Sequence, residues 1–188
     1  TMKRLVLIDT LPKLNDTSPF DSTALRGSEF AVHLSENPNF VVKITYSNGN
    51  TKTLESSEYT IGFKKDSSLT SSDWKGVSTW SESSENAEAV RLIINDENLV
   101  ENKAVVEISF NAKADDGAIA GQKAWNSFGY HYILNDSQKT ELEAMPLSVG
   151  VQITETPMIQ KTLVDIEGNT YTVKQDTTFS FLVPWSSG

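Results

Sequence analysis

Ala124-Trp125-Asn126-Ser127-Phe128-Gly129-Tyr130-His131-Tyr132-Ile133-Leu134 reads as a β-strand with an amide on its apolar face. Strand side chains alternate between two faces, so Asn126 falls in line with Phe128, Tyr130, Tyr132 and Leu134, while Ser127, Gly129 and His131 point the other way. Burying an amide without partners costs on the order of 1–3 kcal/mol, so Asn126 is expected either in a hydrogen-bond network or as a reactant.

The same alternation recurs along the chain. Phe40, Val42, Ile44 and Tyr46 alternate with Val41, Lys43 and Thr45, and Val106, Ile108, Phe110 and Ala112 alternate with Val105, Glu107, Ser109 and Asn111. Further strands are expected near Glu29 to Leu34, Tyr59 to Phe63, Ala89 to Ile94 and Leu147 to Ile153, and Asn48-Gly49-Asn50 reads as a hairpin turn. No segment carries a helical period. The fold class that follows is all-β, an antiparallel immunoglobulin-like sandwich with long loops. The long loops are Leu11 to Ser28 and Lys64 to Glu88; Trp74 and Trp80 give the second a means of packing on the sandwich, or of presenting a ligand surface.

After Ile153 the pattern changes. Thr154-Glu155-Thr156-Pro157 reads as a hinge, and short strands follow at Ile159 to Val164, Thr170 to Val173 and Thr178 to Val183, with a turn at Glu167-Gly168-Asn169. The expected division is a sandwich over 1–153, a linker over 154–157 and the truncated start of a second sandwich over 158–188, because so short a piece falls below the roughly 40 residues an unstapled domain needs.

At 188 residues with 38% hydrophobic and 22% charged residues, the chain can bury a core. A net charge of −9 argues against a phosphate-tracking nucleic-acid binder. The Ser-, Thr- and Asn-rich polar share suits an extracellular surface. With no cysteine there is no disulfide framework, thiolate metal site or cysteine nucleophile, so another device must hold such a domain together. No apolar run approaches the roughly 18 residues of a membrane span. Because Met2 to Asp9 already reads as a strand, the natural chain is expected to begin earlier; the last three residues, Ser186 to Gly188, are as readily cloning residue as protein.

Several residue groups could carry chemistry. Lys161 shares a strand face with Ile159 and Leu163, and a desolvated amine is pushed towards its neutral, nucleophilic form. Such an amine can attack an asparagine side chain while a protonated acid stabilises the oxyanion, expelling ammonia and leaving an isopeptide. The alternative is a lysine whose stem is buried and whose ammonium reaches water. Asp9 reads from its position as a strand-end cap of the turn at Thr10-Leu11-Pro12. His33 and His131 are lone histidines on separate strands and are not expected to hold a metal. Asp115-Asp116-Gly117 and Asn95-Asp96-Glu97-Asn98 offer oxygen ligands for calcium, without the spacing of an EF-hand loop. No cofactor is otherwise implied. Ser-His-Asp order, glycine-rich phosphate loops and paired-carboxylate motifs do not stand out.

The run Leu7-Ile8-Asp9-Thr10-Leu11-Pro12, then Asn15-Asp16-Thr17, Arg26-Gly27-Ser28-Glu29-Phe30 and Ala124 to Tyr130, resembles the repeating adhesin and pilin-type domains of Gram-positive cell-wall surface proteins, over most of residues 1–153. Gln160-Lys161-Thr162-Leu163-Val164, Gly168-Asn169 and Asp176 to Phe181 resemble the opening of a collagen-adhesin B-type repeat. In the collagen-adhesin A-type sandwich that the first part resembles, a lysine on an early strand bonds to an asparagine on a late strand, assisted by an aspartate. The resemblance makes Asp9 the assisting acid and Asn126 the acceptor, and sets the donor lysine a few tens of residues before the Asp-Thr-Leu-Pro segment, upstream of Thr1. Lys3 shares the Leu5, Leu7 and Asp9 face, but six residues at ~3.3 Å each leave it about 20 Å from Asp9. Lys161 matches the donor of the B-type repeat and is expected to be unbonded here. The implied role is a stalk or pilin-like spacer, extracellular and anchored to the cell wall in its parent, with neighbouring stalk domains or a host or matrix ligand as partners. It would not be an enzyme beyond one self-directed cross-linking event. The alternatives are a carbohydrate-binding module, in which Trp74, Trp80 or Trp125 stack on sugars, and one half of a split ligation pair that lacks its lysine strand.

Overall fold

The computed structural model describes residues 2–96, 99–101, 103–134, 149–153, 159–164, 170–173 and 178–184. The hinge at Thr154 to Pro157, the turn at Glu167 to Asn169, Glu97, Asn98 and the last residues from Trp185 lie outside the described residues. In chain order the elements are β1 Met2–Thr10, β2 Val32–Leu34, β3 Val41–Thr45, β4 Thr51–Thr53, β5 Thr60–Lys64, α1 Ser71–Trp74, β6 Ala89–Ile94, β7 Val105–Ala114, β8 Lys123–Leu134, β9 Val149–Ile153, β10 Ile159–Val164, β11 Thr170–Val173 and β12 Thr178–Pro184.

The fold is all-β and sandwich-like: two antiparallel sheets with one helical turn. The larger sheet runs β11-β10-β9-β8-β1-β6-β5 and the smaller β12-β7-β3-β4, with β2 alongside β7. The expected hairpin joins β3 to β4: Gly49 N–H donates to Tyr46 O (2.9 Å), and Gly49 takes a φ of +86°, a left-handed conformation open to glycine at little cost. Strands from both sides of residue 153 share sheets, since β10 pairs with β9 and β12 with β7.

Between the sheets lies one main core. Leu5 and Leu7 of β1, Leu92 and Ile94 of β6, Val106, Ile108 and Phe110 of β7, Val42 and Ile44 of β3, and Ala124 and Tyr132 of β8 all belong to it. The alternation expected of β8 holds: Phe128 and Tyr130 pack on this core, whereas Ser127, Gly129 and His131 are buried on the opposite side. Phe40, at the foot of β3, meets Phe63 of β5 (centroids 5.8 Å apart) as well as Phe110 (5.3 Å). The β3 side of the small sheet therefore lies over β5 and β6.

The outer face of the large sheet is also covered over β1, β6 and β8. Val6 and Ile8 point away from the main core and are fully buried with Trp74 and Ile93, flanked by Phe20, Leu69 and Trp80. Both long loops fold down here. Phe20 from the first and Trp74 from the second stack at 4.7 Å with an interplanar angle of 22°. They rest on Gly129, where an added Cβ would lie 2.0 Å from Phe20 Cζ and 2.7 Å from Trp74 Cη2. Trp80 lies as tightly on Gly62, 2.8 Å from its Cβ to the place a Cβ would take.

The helical turn is a local device the hydrophobic period does not reveal. Thr70 accepts from Asp73 N–H, and the Asp73 carboxylate accepts from Thr70 N–H (2.7 Å), closing a capping box. It turns Trp74 down onto the sheet.

Gly129→Ala is expected to lower stability by about 1–3 kcal/mol through overpacking, read by urea unfolding. A loss below about 0.5 kcal/mol would mean that the ring pair yields freely and that this cover is not tightly packed.

Candidate functional site

Asp9 and Asn126 are brought together by the register of two adjacent strands. Asp9 lies opposite Phe128 in the β1–β8 ladder, and Asn126 is two residues further along β8 on the same face, the diagonal position within reach of a side chain. Asn126 Nδ2 donates to Asp9 Oδ2 at 2.9 Å. Asp9 is 6% exposed and Asn126 2%. Asp9 is thus a buried hydrogen-bond partner of the amide. A void of about 10 Å³ beside Asp9 is bounded by Leu7, Ile8, Val90, Ile108, Phe110 and Phe128. It is at the lower limit for a water, and its walls offer too few polar partners to hold one.

The observed contact runs to the amide nitrogen, the atom that leaves in an aminolysis. Asn126 Oδ1 is buried and accepts no hydrogen bond. An oxyanion forming there has no donor in the present geometry; turning the amide about its Cβ–Cγ bond would bring Oδ1 to Asp9, which then needs a proton to donate.

A charged clamp fixes the strand ends around this pair. Arg26 and Asp16 form an ion pair, Nη2 to Oδ2 2.7 Å, with side chains 3% and 1% exposed. Arg26 Nη1 donates to Thr10 O (2.7 Å) and Nη2 to Leu11 O (3.0 Å), just past Asp9. Asp16 Oδ2 also accepts from Ser28 Oγ (3.0 Å) and Lys13 N–H (3.0 Å). Ser28 Oγ accepts from Trp125 N–H (3.0 Å), directly before Asn126. The Asn15 to Thr17 and Arg26 to Phe30 segments are therefore two halves of one buried tie across β1 and β8.

A second polar centre anchors the Lys64 to Glu88 insertion. Asp73 Oδ1 accepts from Ser78 Oγ (2.6 Å) and Trp80 Nε1 (2.7 Å), and Oδ2 from Thr70 Oγ1 (2.8 Å), with Lys64 Nζ at 3.4 Å. Arg91, on the outer face of β6, donates to Ser78 O (2.8 Å) and Ser78 Oγ (2.9 Å) and lies 4.6 Å over the Trp80 ring. Burial pushes the Asp73 carboxyl up, but the hydrogen bonds from Ser78, Trp80 and Thr70 outweigh it and hold the acid well below the usual carboxylate range. Arg91 was readable as a sign of this centre, because a charge inside the buried run Ala89-Val90-Arg91-Leu92-Ile93-Ile94 demands polar partners.

The other sequence candidates fall apart from these centres. Trp74 is 9% exposed and Trp80 half-buried under Arg91; Trp125 is half-buried against Gly150. Their rings do not form an open row. His33 is exposed at a cleft with Lys113, Asp115 and Asp116, whereas His131 is 4% exposed beneath Phe20 and Trp74. No cluster of three or more metal-ligating side chains occurs among the described residues. Lys3 sits at a register shift between Met2 and Arg4 and is exposed. Lys161 is defined by its strand pairing, opposite Val151 on one side and Val173 on the other.

Comparison with protein-family models, with curated proteins and with solved structures returned no match.

Arg26→Ala leaves Asp16 as a buried carboxylate without its cation and is expected to cost about 3–5 kcal/mol in urea unfolding, with part of the loss recovered when Asp16→Ala is added. Additive losses would show that the pair acts as two separate contacts. Asp73 supplies a pH dependence. Its folded value lies below the unfolded value of about 3.9, so its stabilisation is complete above that pH and is lost as pH falls through the folded value. Asp73→Asn is expected to lose on the order of 2 kcal/mol at neutral pH and to show a shallower loss of stability below about pH 4. Parallel acid profiles for the two proteins would refute this.

Proposed function

We propose that this chain is a structural and adhesive segment of a bacterial cell-surface protein, a stalk or pilin-like spacer whose sandwich is closed by a lysine-to-asparagine isopeptide. The single observation that carries the reading is the buried Asp9–Asn126 contact. Two residues that lie 117 positions apart, and that the resemblance to adhesin domains pairs as acid and acceptor, meet at 2.9 Å.

The chemistry needs three groups: an acid, an amide and a neutral amine, held away from water. Two are supplied here. Asp9 touches the nitrogen that must depart as ammonia, which suits it to deliver the proton that departure requires. Every lysine whose side chain is described is at least partly exposed, so the amine comes from another part of the chain or from another strand.

The rest of the molecule suits a load-bearing role. With no cysteine, a covalent clasp between strands is the means left to slow forced unfolding in an extracellular stalk. The tryptophans support this reading over a sugar-binding module, because Trp74 and Trp80 are engaged in packing, a hydrogen bond and a cation–π contact. The partners proposed are neighbouring stalk domains and a host or matrix surface ligand.

The natural protein that contains this region, isolated intact, is expected to weigh one ammonia less than its sequence for this domain. A mass equal to the uncross-linked sequence would remove the isopeptide from the reading.

A further inference from the structure

The β3–β4 hairpin presents an amide to water beside a backbone nitrogen able to attack it. Asn48 is the one asparagine in the sequence followed by glycine, and Ser47, Asn48, Gly49 and Asn50 are all exposed. Asn48 Oδ1 accepts from Asn50 N–H at 2.9 Å, a turn closed by the asparagine side chain. Gly49 takes a φ of +86°, and no atom of the surrounding fold lies within 4 Å of the place a Cβ would occupy.

Asn48 Cγ and the Gly49 nitrogen belong to consecutive residues, so a bond between them closes a five-membered ring without an encounter in solution. The Asn50 N–H sits on the oxygen where negative charge develops as Cγ becomes tetrahedral. Against the reaction stands one hydrogen bond, Gly49 N–H to Tyr46 O at 2.9 Å, which must open first. In an exposed turn, opening such a bond slows the step by roughly tenfold at most. Asn126 is the contrast. It is 2% exposed, Ser127 after it is 8% exposed and fixed opposite Thr10 in the β1–β8 ladder, and Asn126 Oδ1 accepts no hydrogen bond.

We propose that Asn48 is a self-modifying site at which water is the co-reactant and aspartate and isoaspartate are the products. In the first step the Gly49 nitrogen, its proton taken by solvent hydroxide, forms a bond to Asn48 Cγ. The Cγ–Nδ2 bond breaks, and Nδ2 leaves as ammonia with a proton from water. Water then adds to one of the two ring carbonyls, the C–N bond at that carbon breaks, and the ring nitrogen takes up a proton. Opening at Cγ gives aspartate, and opening at the main-chain carbonyl gives isoaspartate. One amide and one water become one carboxylic acid and one ammonia, and nothing is oxidised or reduced. Either product adds a negative charge to a chain whose net charge is already −9. Aspartate keeps the acceptor for Asn50 N–H, whereas isoaspartate lengthens the main chain by one carbon inside the turn and loosens the join of β4 to β3. Because the released ammonia is lost to solvent, the extent of conversion records how long the hairpin has stood in water. This site is independent of the cross-linking reading of Asp9 and Asn126.

The test is peptide mapping by tandem mass spectrometry of the full 188-residue chain, incubated folded in mildly alkaline buffer and, in parallel, unfolded in urea. The expected result is amide-to-acid conversion at position 48 of the folded chain ahead of every other asparagine, with isoaspartate among the products and a rate that rises with pH. Asn48→Gln, folded by circular dichroism, is expected to lose this conversion, since its longer side chain would have to close a larger ring. Conversion led by another asparagine overturns the proposal, as does an unchanged amide at position 48 in both samples. Conversion of Asn48 in urea alone also overturns it, because the hairpin is then a shield. Aspartate without isoaspartate means direct hydrolysis by water and removes the ring step.

Discussion

Burial of β1 on both faces is the constraint on which the rest of the molecule depends. Its residues from Leu5 to Thr10 are all buried, with β6 on one edge and β8 on the other. Leu5 and Leu7 face the second sheet, and Val6 and Ile8 face outward. A sandwich normally leaves the outward face of a strand to water. Here each buried aliphatic side chain is worth roughly 1.5–3 kcal/mol only if something covers it, and the two long loops are that cover. The glycines at 129 and 62 follow from the same demand, because the covering rings lie against backbone. So does the centre around Asp73 and Arg91, which fixes the angle at which the insertion crosses the sheet.

Among the described residues three acids are buried, in three different ways. Asp16 meets a guanidinium, and Asp73 is surrounded by hydroxyl, indole and backbone donors. The donors around Asp73 hold its carboxyl well below the usual carboxylate range. Asp9 meets a neutral amide against hydrocarbon walls.

Much of the architecture was legible in the sequence because alternation is a direct record of one-sided burial. β3, β7 and β8 fall where the alternation sets them, and Asn126 stood out because a polar group on an apolar face must be matched, whereas Asp9 was marked by the resemblance. What was hidden is what lies across the sheet. The run Leu5-Val6-Leu7-Ile8 has no alternation and so does not say what covers its second face. Thr70-Ser71-Ser72-Asp73 carries a capping signature in a stretch too short to show a helical period. The Arg26–Asp16 tie was visible only as two separate pieces of a resemblance, since a buried ion pair between loop residues leaves no periodic trace. The bulge at Lys3 likewise breaks a face that strict alternation would have continued.

The order in which β1 and β8 leave the ribosome has a consequence for folding. β1 emerges first, yet one of its partners, β8, begins at Lys123, and the Asp9–Asn126 contact spans 117 residues. At ~5–20 residues per second, on the order of ten seconds pass before the first strand can be enclosed. Through that interval the edge of β1 that β8 will cover stands open even after β6 has emerged, a template for pairing with other chains. The topology therefore favours a chain that is shielded or kept extended until synthesis has passed β8, and that gains its central strand only when its last partner arrives.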